Sequence, residues 1–277
     1  MGYKNENEVY KRVFAHYQEL NNRGFEVVCV MLQGSQNYGL EYENSDVDTK
    51  AIVLPKFEDF VKFKMPYSET IILDNDEHID TKDIRIMFEM FKKMNISYIE
   101  LLYTDYLVVN PKYEWFVNCL IENREKISKI NKNQFLRCLS GMSMEKLKAL
   151  CHPYPSIVEK IKKYGFDGKQ LSHCARLNEF ITRYVSGEPL EKCYISKQRD
   201  RLINLKKNLT EDGTELLKVE DAINMCQLLD ESTKKIKNDN LTETDIINNE
   251  GIEILDDLKT NILKQWFKEQ LLNEGEN

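Results

Sequence analysis

The feature that most constrains this chain is residues 32–53, LQGSQNYGLEYENSDVDTKAIV, where ten residues separate Gly34-Ser35 from Asp46-Val47-Asp48. Apolar, β-branched runs lie on both sides, over residues 25–32 and 48–54, and they predict two buried strands. Because side chains alternate along a strand, the two aspartates should point to one face and Val47 to the opposite, buried face. The stretch therefore predicts a small turn followed by two carboxylates side by side on one face of a sheet.

A turn followed by two acids indicates chemistry on phosphate groups. Gly34 allows the backbone to approach a triphosphate closely. The carboxylates of Asp46 and Asp48 offer hard oxygen ligands to Mg²⁺, which takes few protein ligands and completes its shell with phosphate oxygens and water. The pattern therefore favours metal-assisted transfer chemistry on a nucleoside triphosphate.

Composition limits the class of protein. The chain has 277 residues, of which 42% are hydrophobic, enough for one large domain or two ordinary ones. No apolar run approaches the roughly 18 residues of a membrane span, and the charged N-terminus does not resemble a signal peptide. Seven scattered cysteines without a CxxC pair predict buried thiols and no disulfides in a reducing cytoplasm.

The net charge of −7 is unevenly distributed along the chain. Residues 121–210 carry 19 Lys and Arg against 9 Asp and Glu, whereas residues 1–120 carry 13 against 20 and residues 211–277 carry 7 against 17. The basic middle segment has two interpretations, solvated helix faces or contact with a phosphate-rich ligand.

The period of the apolar residues divides the chain into two parts. Elements are predicted as helices over residues 5–23, 82–93 and 168–186 and as strands over residues 25–32, 48–54 and 66–73. After about residue 118 helical patterns dominate, and the polar segment 234–250 is expected to be a loop or a mobile connection. The predicted fold is α/β (α+β), with a short mixed sheet flanked by helices in residues 1–117 and an all-α domain in residues 118–277.

One predicted helix carries a row of basic side chains. Lys169, His173 and Arg176 recur at i, i+4 and i+7 and therefore share a face. Cationic or potentially cationic groups in this arrangement favour the binding of nucleotide phosphates. The alternative is a solvated helix face.

These residues resemble a known family. The string GSxNYGLxxxxSDxDxKxI resembles the signature of the polymerase-β-like nucleotidyltransferase superfamily, in a branch of predicted bacterial and phage nucleotidyltransferases that includes RNA-ligase-associated members. Two further segments are similar to that branch, IDTKDIRIMFEMFKKMNISYIELLY over residues 79–103 and GFDGKQLSHCARLNEFITRYVSGEP over residues 165–189. Three segments in the same order cover much of residues 25–190.

The resemblance implies a role for each residue of the motif. Gly34 and Ser35 would contact the triphosphate, and Asp46 and Asp48 would hold two Mg²⁺ or Mn²⁺ ions. Asp80 would be the third metal-binding and catalytic carboxylate. The alternative for Asp80 is a helix N-cap, and Asp83 competes for the catalytic assignment.

The resemblance also implies a nucleotide-binding set. Tyr38 would stack on a base or simply pack, and Lys50 would meet a phosphate or only balance the acids. Lys169, His173 and Arg176 would bind nucleotide phosphates. Family members often carry Arg or Lys soon after the Gly-Ser pair, where this chain has Gln36-Asn37, so triphosphate contacts are expected from the second domain.

The sequence thus predicts a metal-dependent enzyme in the cytoplasm of a bacterial or phage-infected cell. It would transfer a nucleoside monophosphate from an NTP to an acceptor hydroxyl and release pyrophosphate. An RNA end, such as that of a tRNA, is the favoured acceptor, because of the basic middle segment and the RNA-ligase-associated relatives. The alternatives are the same chemistry on a protein or small-molecule hydroxyl, as in AMPylation, and a nucleotide-binding module without turnover.

Overall fold

The computed structural model describes residues 6–41 and 45–274 of the chain. Its strands are β1 (Glu26–Gln33), β2 (Asp48–Leu54), β3 (Ser68–Ile72), β4 (His78–Asp83) and β5 (Leu107–Val109). Its α-helices are α1 (Glu6–Asn22), α2 (Phe57–Val61), α3 (Ile84–Lys92), α4 (Ile96–Ile99), α5 (Glu114–Glu122), α6 (Arg124–Ile127), α7 (Lys132–Ala149), α8 (Val158–Tyr164), α9 (Gly168–Val185), α10 (Leu190–Tyr194), α11 (Arg199–Lys206), α12 (Val219–Asn240) and α13 (Asn249–Glu274). Asn5, the first residue of the predicted N-terminal helix, lies outside the described residues.

The strands form one mixed sheet in the order β3-β4-β2-β1-β5. β2 and β4 are parallel, whereas β1 pairs antiparallel with β2 and β5, and β3 pairs antiparallel with β4. The predicted short mixed sheet flanked by helices is confirmed. The predicted helix over residues 82–93 begins two residues late, because Lys82 and Asp83 still pair with β2.

The two faces of the sheet differ in chemistry. On one face, α1 packs its apolar side against the strands, and the shared core includes Val13, Val30, Val53 and Ile79. On the other face, polar side chains alternate with these buried residues along β2 and β4. This second face carries Asp48, Lys50, His78, Asp80 and Lys82, so β2 and β4 present their charges to one side, as the alternation of strand side chains requires.

The chain divides into two compact units. The sheet unit comprises the described residues within Met1–Asn37, Glu41–Asn131 and Ile246–Asn277, and the helical unit comprises Tyr38–Leu40 and Lys132–Asp245. In the helical unit, α7, α11 and α12 pack against α9. No helix in residues 6–41 or 45–274 is long and apolar enough to cross a membrane, and the seven cysteines are free thiols.

These units do not coincide with the predicted domains 1–117 and 118–277, because α6 and α13, within residues 118–131 and 246–277, belong to the sheet unit. Trp266 Nε1 donates to the Pro55 backbone oxygen at 2.8 Å, and Lys92 Nζ lies 2.7 Å from Asp256 Oδ1. Gly251 lies directly against the backbone of Lys126. Contacts of this kind join residues more than a hundred positions apart and leave no local signal in the sequence.

The segment 234–250 also differs from the prediction. α12 continues to Asn240, where the Lys234–Asp230 ion pair spans one helical turn at 2.6 Å. The following residues are anchored to α7, since Thr242 N–H donates to Asn133 Oδ1 at 3.0 Å and Arg137 pairs with Asp245 at 2.8 Å. The polar composition of segment 234–250 therefore corresponds to the last turns of α12 and a connection that is hydrogen-bonded to α7.

Replacing Gly251 by Ala should destabilise the sheet unit. A Cβ at this position would lie 2.6 Å from the Lys126 backbone oxygen, so we expect a loss of about 1–3 kcal/mol in the free energy of unfolding, measured by urea denaturation. Gly141→Ala in α7 is the matched control, because a Cβ there meets no atom within 4 Å and Ala favours a helix by up to about 1 kcal/mol. Equal stability of the two variants would contradict the packing of α13.

Candidate active site

The turn after β1 depends on a glycine. Gly34 has a φ of +96°, a conformation that side chains disfavour, and its carbonyl accepts the Asn37 N–H at 3.1 Å. A short 3₁₀ helix, Ser35–Tyr38, follows at once. Because Gln33 pairs with Asp48 across β1 and β2, the turn begins directly beside the acid pair.

Two side chains that the sequence motif leaves without a role hold this turn in place. Gln36 Nε2 donates to the Asp46 backbone oxygen at 2.7 Å. Asn37 Nδ2 donates to the Leu32 carbonyl at 2.8 Å, and its Oδ1 accepts from the Thr104 hydroxyl at 2.8 Å. Of the residues that replace the expected Arg or Lys, Gln36 therefore ties the Gly-Ser turn to Asp46, and Asn37 ties it to Leu32 and Thr104.

Asp48 is the first residue of β2 and lies on its open face, and Asp46 precedes the strand. Asp46 is exposed and Val47 is fully buried, as predicted from their alternation. The backbone N–H of His78 donates to Asp48 Oδ1 at 3.0 Å, and the His78 ring Nδ1 lies 3.0 Å from the same oxygen. The neighbouring strand thus orients one of the two carboxylates.

Asp80 lies on β4 and is enclosed by lysines. Its Oδ2 accepts from Lys50 Nζ at 2.5 Å and its Oδ1 from Lys82 Nζ at 2.8 Å. Burial would raise the pKa of Asp80, but the charges and hydrogen bonds of Lys50 and Lys82 outweigh it and lower the pKa below its ordinary value. Asp80 is therefore an ionised carboxylate in the sheet, whereas the helix N-cap is Asp83, which accepts the Arg85 N–H at 2.8 Å.

Lys50 contacts an aromatic ring as well as an acid. Its ammonium lies 4.7 Å from the centre of the Tyr98 ring, which belongs to α4. Burial and the nearby Asp80 charge raise the pKa of Tyr98 to about 12, so the phenol stays protonated at neutral pH. Of the two interpretations of Lys50, the structure places it against Asp80.

Sequence reasoning missed a buried acid behind the site. Glu77 is 1% exposed and accepts the Val47 N–H at 2.7 Å. Burial would raise the pKa of Glu77, but hydrogen bonds from His16 and Val47 and the Arg12 charge lower it. A single glutamate in a polar turn carries no sequence signal for this role, since its partners are far away in the chain.

Lys169, His173 and Arg176 lie on α9 at the spacing of one helix face, and Arg176 is buried. Arg176 is 5% exposed, its Nε and Nη1 atoms have no hydrogen-bond partner among the described residues, and its guanidinium lies 3.8 Å from the centre of the Tyr38 ring. Tyr38 is itself 6% exposed. Tyr38 therefore packs against the buried cation in this structure.

The charges around Arg176 influence one another. Burial, together with the charges of Arg176, Lys146, Lys169 and Lys206, lowers the pKa of His173 well below its ordinary value. Burial likewise lowers the pKa of Lys146; the Glu145 charge opposes this effect, and the smaller effects of the Arg176 and Lys169 charges add to it. His173 is therefore neutral at neutral pH, and it lies within a cluster of four basic side chains from α7, α9 and α11.

The three aspartates are not gathered into one metal cluster. Among residues 6–41 and 45–274, no group of three or more His, Cys, Asp or Glu side chains could hold a metal ion. Asp46 and Asp48 present carboxylate oxygens of the kind that Mg²⁺ and Mn²⁺ prefer, whereas Asp80 is bound by two lysines. The donor chemistry fits a divalent metal at the pair, with phosphate oxygens and water completing the shell.

Comparison with known proteins assigns the chain to a family. The model of the RlaP family, the RNA repair pathway DNA polymerase beta family, matches residues 9–250. The chain belongs to this family, which confirms the resemblance to polymerase-β-like nucleotidyltransferases. No curated protein matches the chain. It is similar to the crystal structure of a nucleotidyltransferase-like protein from Exiguobacterium sibiricum 255-15, at 10% identity and a TM-score of 0.28 over 85% of this chain and 75% of that one, a likeness too distant to bear on the site.

Replacing Lys50 by Met should raise the pKa of Asp80, because the largest influence opposing burial is lost. An acid with a lowered pKa stabilises the fold above its unfolded-state pKa, near 3.9, and this stability is lost as the pH falls through the lowered folded-state pKa. The variant should therefore show a smaller loss of stability below about pH 4. A carbon-13 NMR titration of the aspartate carboxyls measures the shift directly.

The control is Lys62→Met, which removes an exposed lysine paired with Glu58 in the same unit. It should leave the Asp80 titration unchanged. An Asp80 pKa that is the same in wild type and Lys50→Met would show that Lys50 does not keep the acid ionised.

Proposed function

We propose that this protein is a metal-dependent nucleotidyltransferase that moves a nucleoside monophosphate from an NTP to an acceptor hydroxyl. The observation that carries the proposal is that Asp48 and Asp80 lie on one face of two neighbouring parallel strands, with Asp46 exposed two residues before Asp48, in a chain of the polymerase beta family. Asp48 begins β2 opposite Gln33, which precedes the Gly34 turn, and Asp80 lies on the parallel neighbour β4.

In the proposed reaction the acceptor oxygen forms a bond to the α-phosphorus. The bond from that phosphorus to the bridging oxygen of the β-phosphate breaks, and pyrophosphate leaves. The acceptor hydroxyl gives its proton to Asp80 or to solvent. Two Mg²⁺ or Mn²⁺ ions would stabilise the charge on the attacking and leaving oxygens. Asp46 and Asp48 would hold them, joined by Asp80 when it separates from Lys50 and Lys82.

The chain supplies its own positioning groups for this step. Gly34 leaves open space, since a Cβ there would meet no atom within 4 Å, and its turn offers backbone N–H and the Ser35 hydroxyl to a triphosphate. Asp80 is ionised and can accept a proton or orient a hydroxyl. The Lys50 ammonium lies 2.5 Å from Asp80, so it is free to bind phosphate once Asp80 binds a metal or the acceptor.

We assign a second set of phosphate contacts to α9 of the helical unit. A buried guanidinium with two unpaired N–H-bearing nitrogens is costly unless an anion accepts from it. Arg176 is such a group, and Lys169 and His173 lie on the same helix face. Phosphate oxygens are the acceptors that a planar guanidinium binds best.

An RNA end is the proposed acceptor. The family belongs to an RNA repair pathway, and residues 121–210 carry an excess of ten basic side chains, 19 against 9. Basic segments of this kind bind the phosphate backbone of nucleic acids, and their affinity falls as salt rises. A protein or small-molecule hydroxyl, and binding without turnover, are the alternatives that the assay below separates.

Transfer should require all three aspartates. Each of the four α-labelled NTPs is incubated with total RNA and Mg²⁺ or Mn²⁺, and label is followed into RNA, protein and small molecules. Asp46→Asn, Asp48→Asn and Asp80→Asn should each lower transfer by about a hundredfold or more, since each removes a metal ligand or the proton acceptor.

Asp59→Asn, which removes a partly exposed acid paired with Lys64, should retain wild-type transfer. Label in RNA supports the proposed acceptor, and label in protein or in a small molecule moves the acceptor to that class. NTP binding without any label in the wild-type reaction would establish a binding module.

Arg176→Met should weaken NTP binding, because phosphate loses the buried guanidinium. We expect the dissociation constant, measured by calorimetry without turnover, to rise at least about tenfold, the loss of one charge-assisted hydrogen bond of roughly 1.5–3 kcal/mol. Lys235→Met is the control, because it removes an exposed positive charge from α12 of the same unit. Similar weakening in both variants would indicate a general effect of charge rather than a site on α9.

A further inference from the structure

A buried carboxylate contacts the segment between the two metal-binding aspartates. Glu77 immediately precedes β4 and is 1% exposed. Its Oε1 accepts the Val47 N–H at 2.7 Å and pairs with the Arg12 guanidinium. Its Oε2 lies 3.2 Å from His16 Nε2 and accepts from Asn75 Nδ2 at 3.1 Å. Both oxygens are therefore satisfied, on a side chain held from several directions.

The Val47 amide that Glu77 binds precedes the regular pairing of β2. The β1–β2 ladder extends from Glu26 to Gln33, which pairs with Asp48, and the β2–β4 ladder begins at Thr49. Fixing the Val47 N–H fixes the peptide plane between Asp46 and Val47. Because the peptide is planar, this sets the direction in which the acid pair leaves the strand.

The residue after Glu77 holds the same segment from the other face. His78 contacts Asp48 Oδ1 through its backbone N–H and its ring Nδ1, each at 3.0 Å. Glu77 holds the backbone on the buried face while His78 holds a carboxylate on the open face. Glu77 and His78 thus bind the Asp46-Val47-Asp48 segment through separate hydrogen bonds.

Packing alone does not account for an acid at this position. Burying a carboxylate carries a large desolvation penalty, and an apolar side chain of similar size commonly gives equal or better stability. Here the carboxylate recruits Arg12 and His16 from α1, and His16 Nδ1 lies 2.9 Å from the Thr49 hydroxyl on β2. Together these contacts tie α1 to the start of β2.

We infer that Glu77 is a positioning residue, which sets the orientation of the Asp46–Asp48 pair through the Val47 amide and so determines the affinity of the pair for metal. This inference rests on the proposed function, because it takes the pair to be the metal ligands. Groups that orient metal ligands typically change metal affinity or activity by about 10–100-fold when they are removed.

The test compares Glu77→Gln with Asp83→Asn. Asp83 is also 1% exposed, accepts a backbone N–H from Arg85 at 2.8 Å and pairs with an arginine, so the two variants neutralise similar buried acids in the same unit. Mn²⁺ affinity is measured by electron paramagnetic resonance, with Asp46→Asn/Asp48→Asn defining binding outside the pair. Hydrogen exchange of the segment containing Val47 and thermal unfolding are measured alongside.

Glu77→Gln should weaken Mn²⁺ binding about tenfold or more and speed exchange at Val47. Asp83→Asn should lose thermal stability but keep both wild-type values. Wild-type Mn²⁺ affinity in Glu77→Gln, or equal weakening in the two variants, would overturn the inference. If wild type and Asp46→Asn/Asp48→Asn bind Mn²⁺ equally, the proposed metal site fails, and the inference about metal affinity fails with it. Exchange at Val47 then reports separately whether Glu77 holds the segment.

Discussion

The parallel pairing of β2 with β4 is the constraint on which the site depends. Its register sets Lys50 opposite Asp80, and alternation along the strands puts Asp48, Lys50, His78 and Asp80 on one face. A shift of one residue would turn these groups into the apolar core under α1 and turn core residues outward. The buried apolar face thus fixes which charges meet on the open face, and the chemistry of the site follows from the packing on its other side.

The acids of the sheet unit are compensated in different ways. Asp80 is neutralised by two lysines on its own face, so its charge is stable while no ligand is present. Glu77 pairs with Arg12 and contacts His16, both from α1, and its hydrogen bond to Val47 links that helix to the acid pair. Asp46, in contrast, lies exposed to solvent. The neighbouring acids Glu77 and Asp80 are therefore paired with basic side chains, whereas Asp46 remains accessible to a metal and a triphosphate.

Much of this arrangement could be predicted from local patterns. The strands at residues 26–33 and 48–54, the turn at Gly34 and the shared face of Lys169, His173 and Arg176 each follow from spacing within a few residues. The features that the sequence did not predict depend on contacts between residues far apart in the chain. α13 joins the sheet unit through partners near residues 55, 92 and 126, and Glu77 gains its role from residues in α1 and β2. The neutrality of His173 depends on burial and on charges from neighbouring helices, which its spacing on α9 does not reveal.

Arg176 differs from Asp80 in having no acid among the described residues to balance it. Its stacking on Tyr38 recovers up to about 2 kcal/mol when desolvated, whereas each buried, unpaired hydrogen-bonding group costs about 1–3 kcal/mol. Two nitrogens of the guanidinium are unpaired, so the ring compensates only part of the penalty. An anion that accepts from both nitrogens would remove the remainder. Since a ligand that binds only the folded state stabilises it, phosphate binding at Arg176, as proposed, would also stabilise the helical unit.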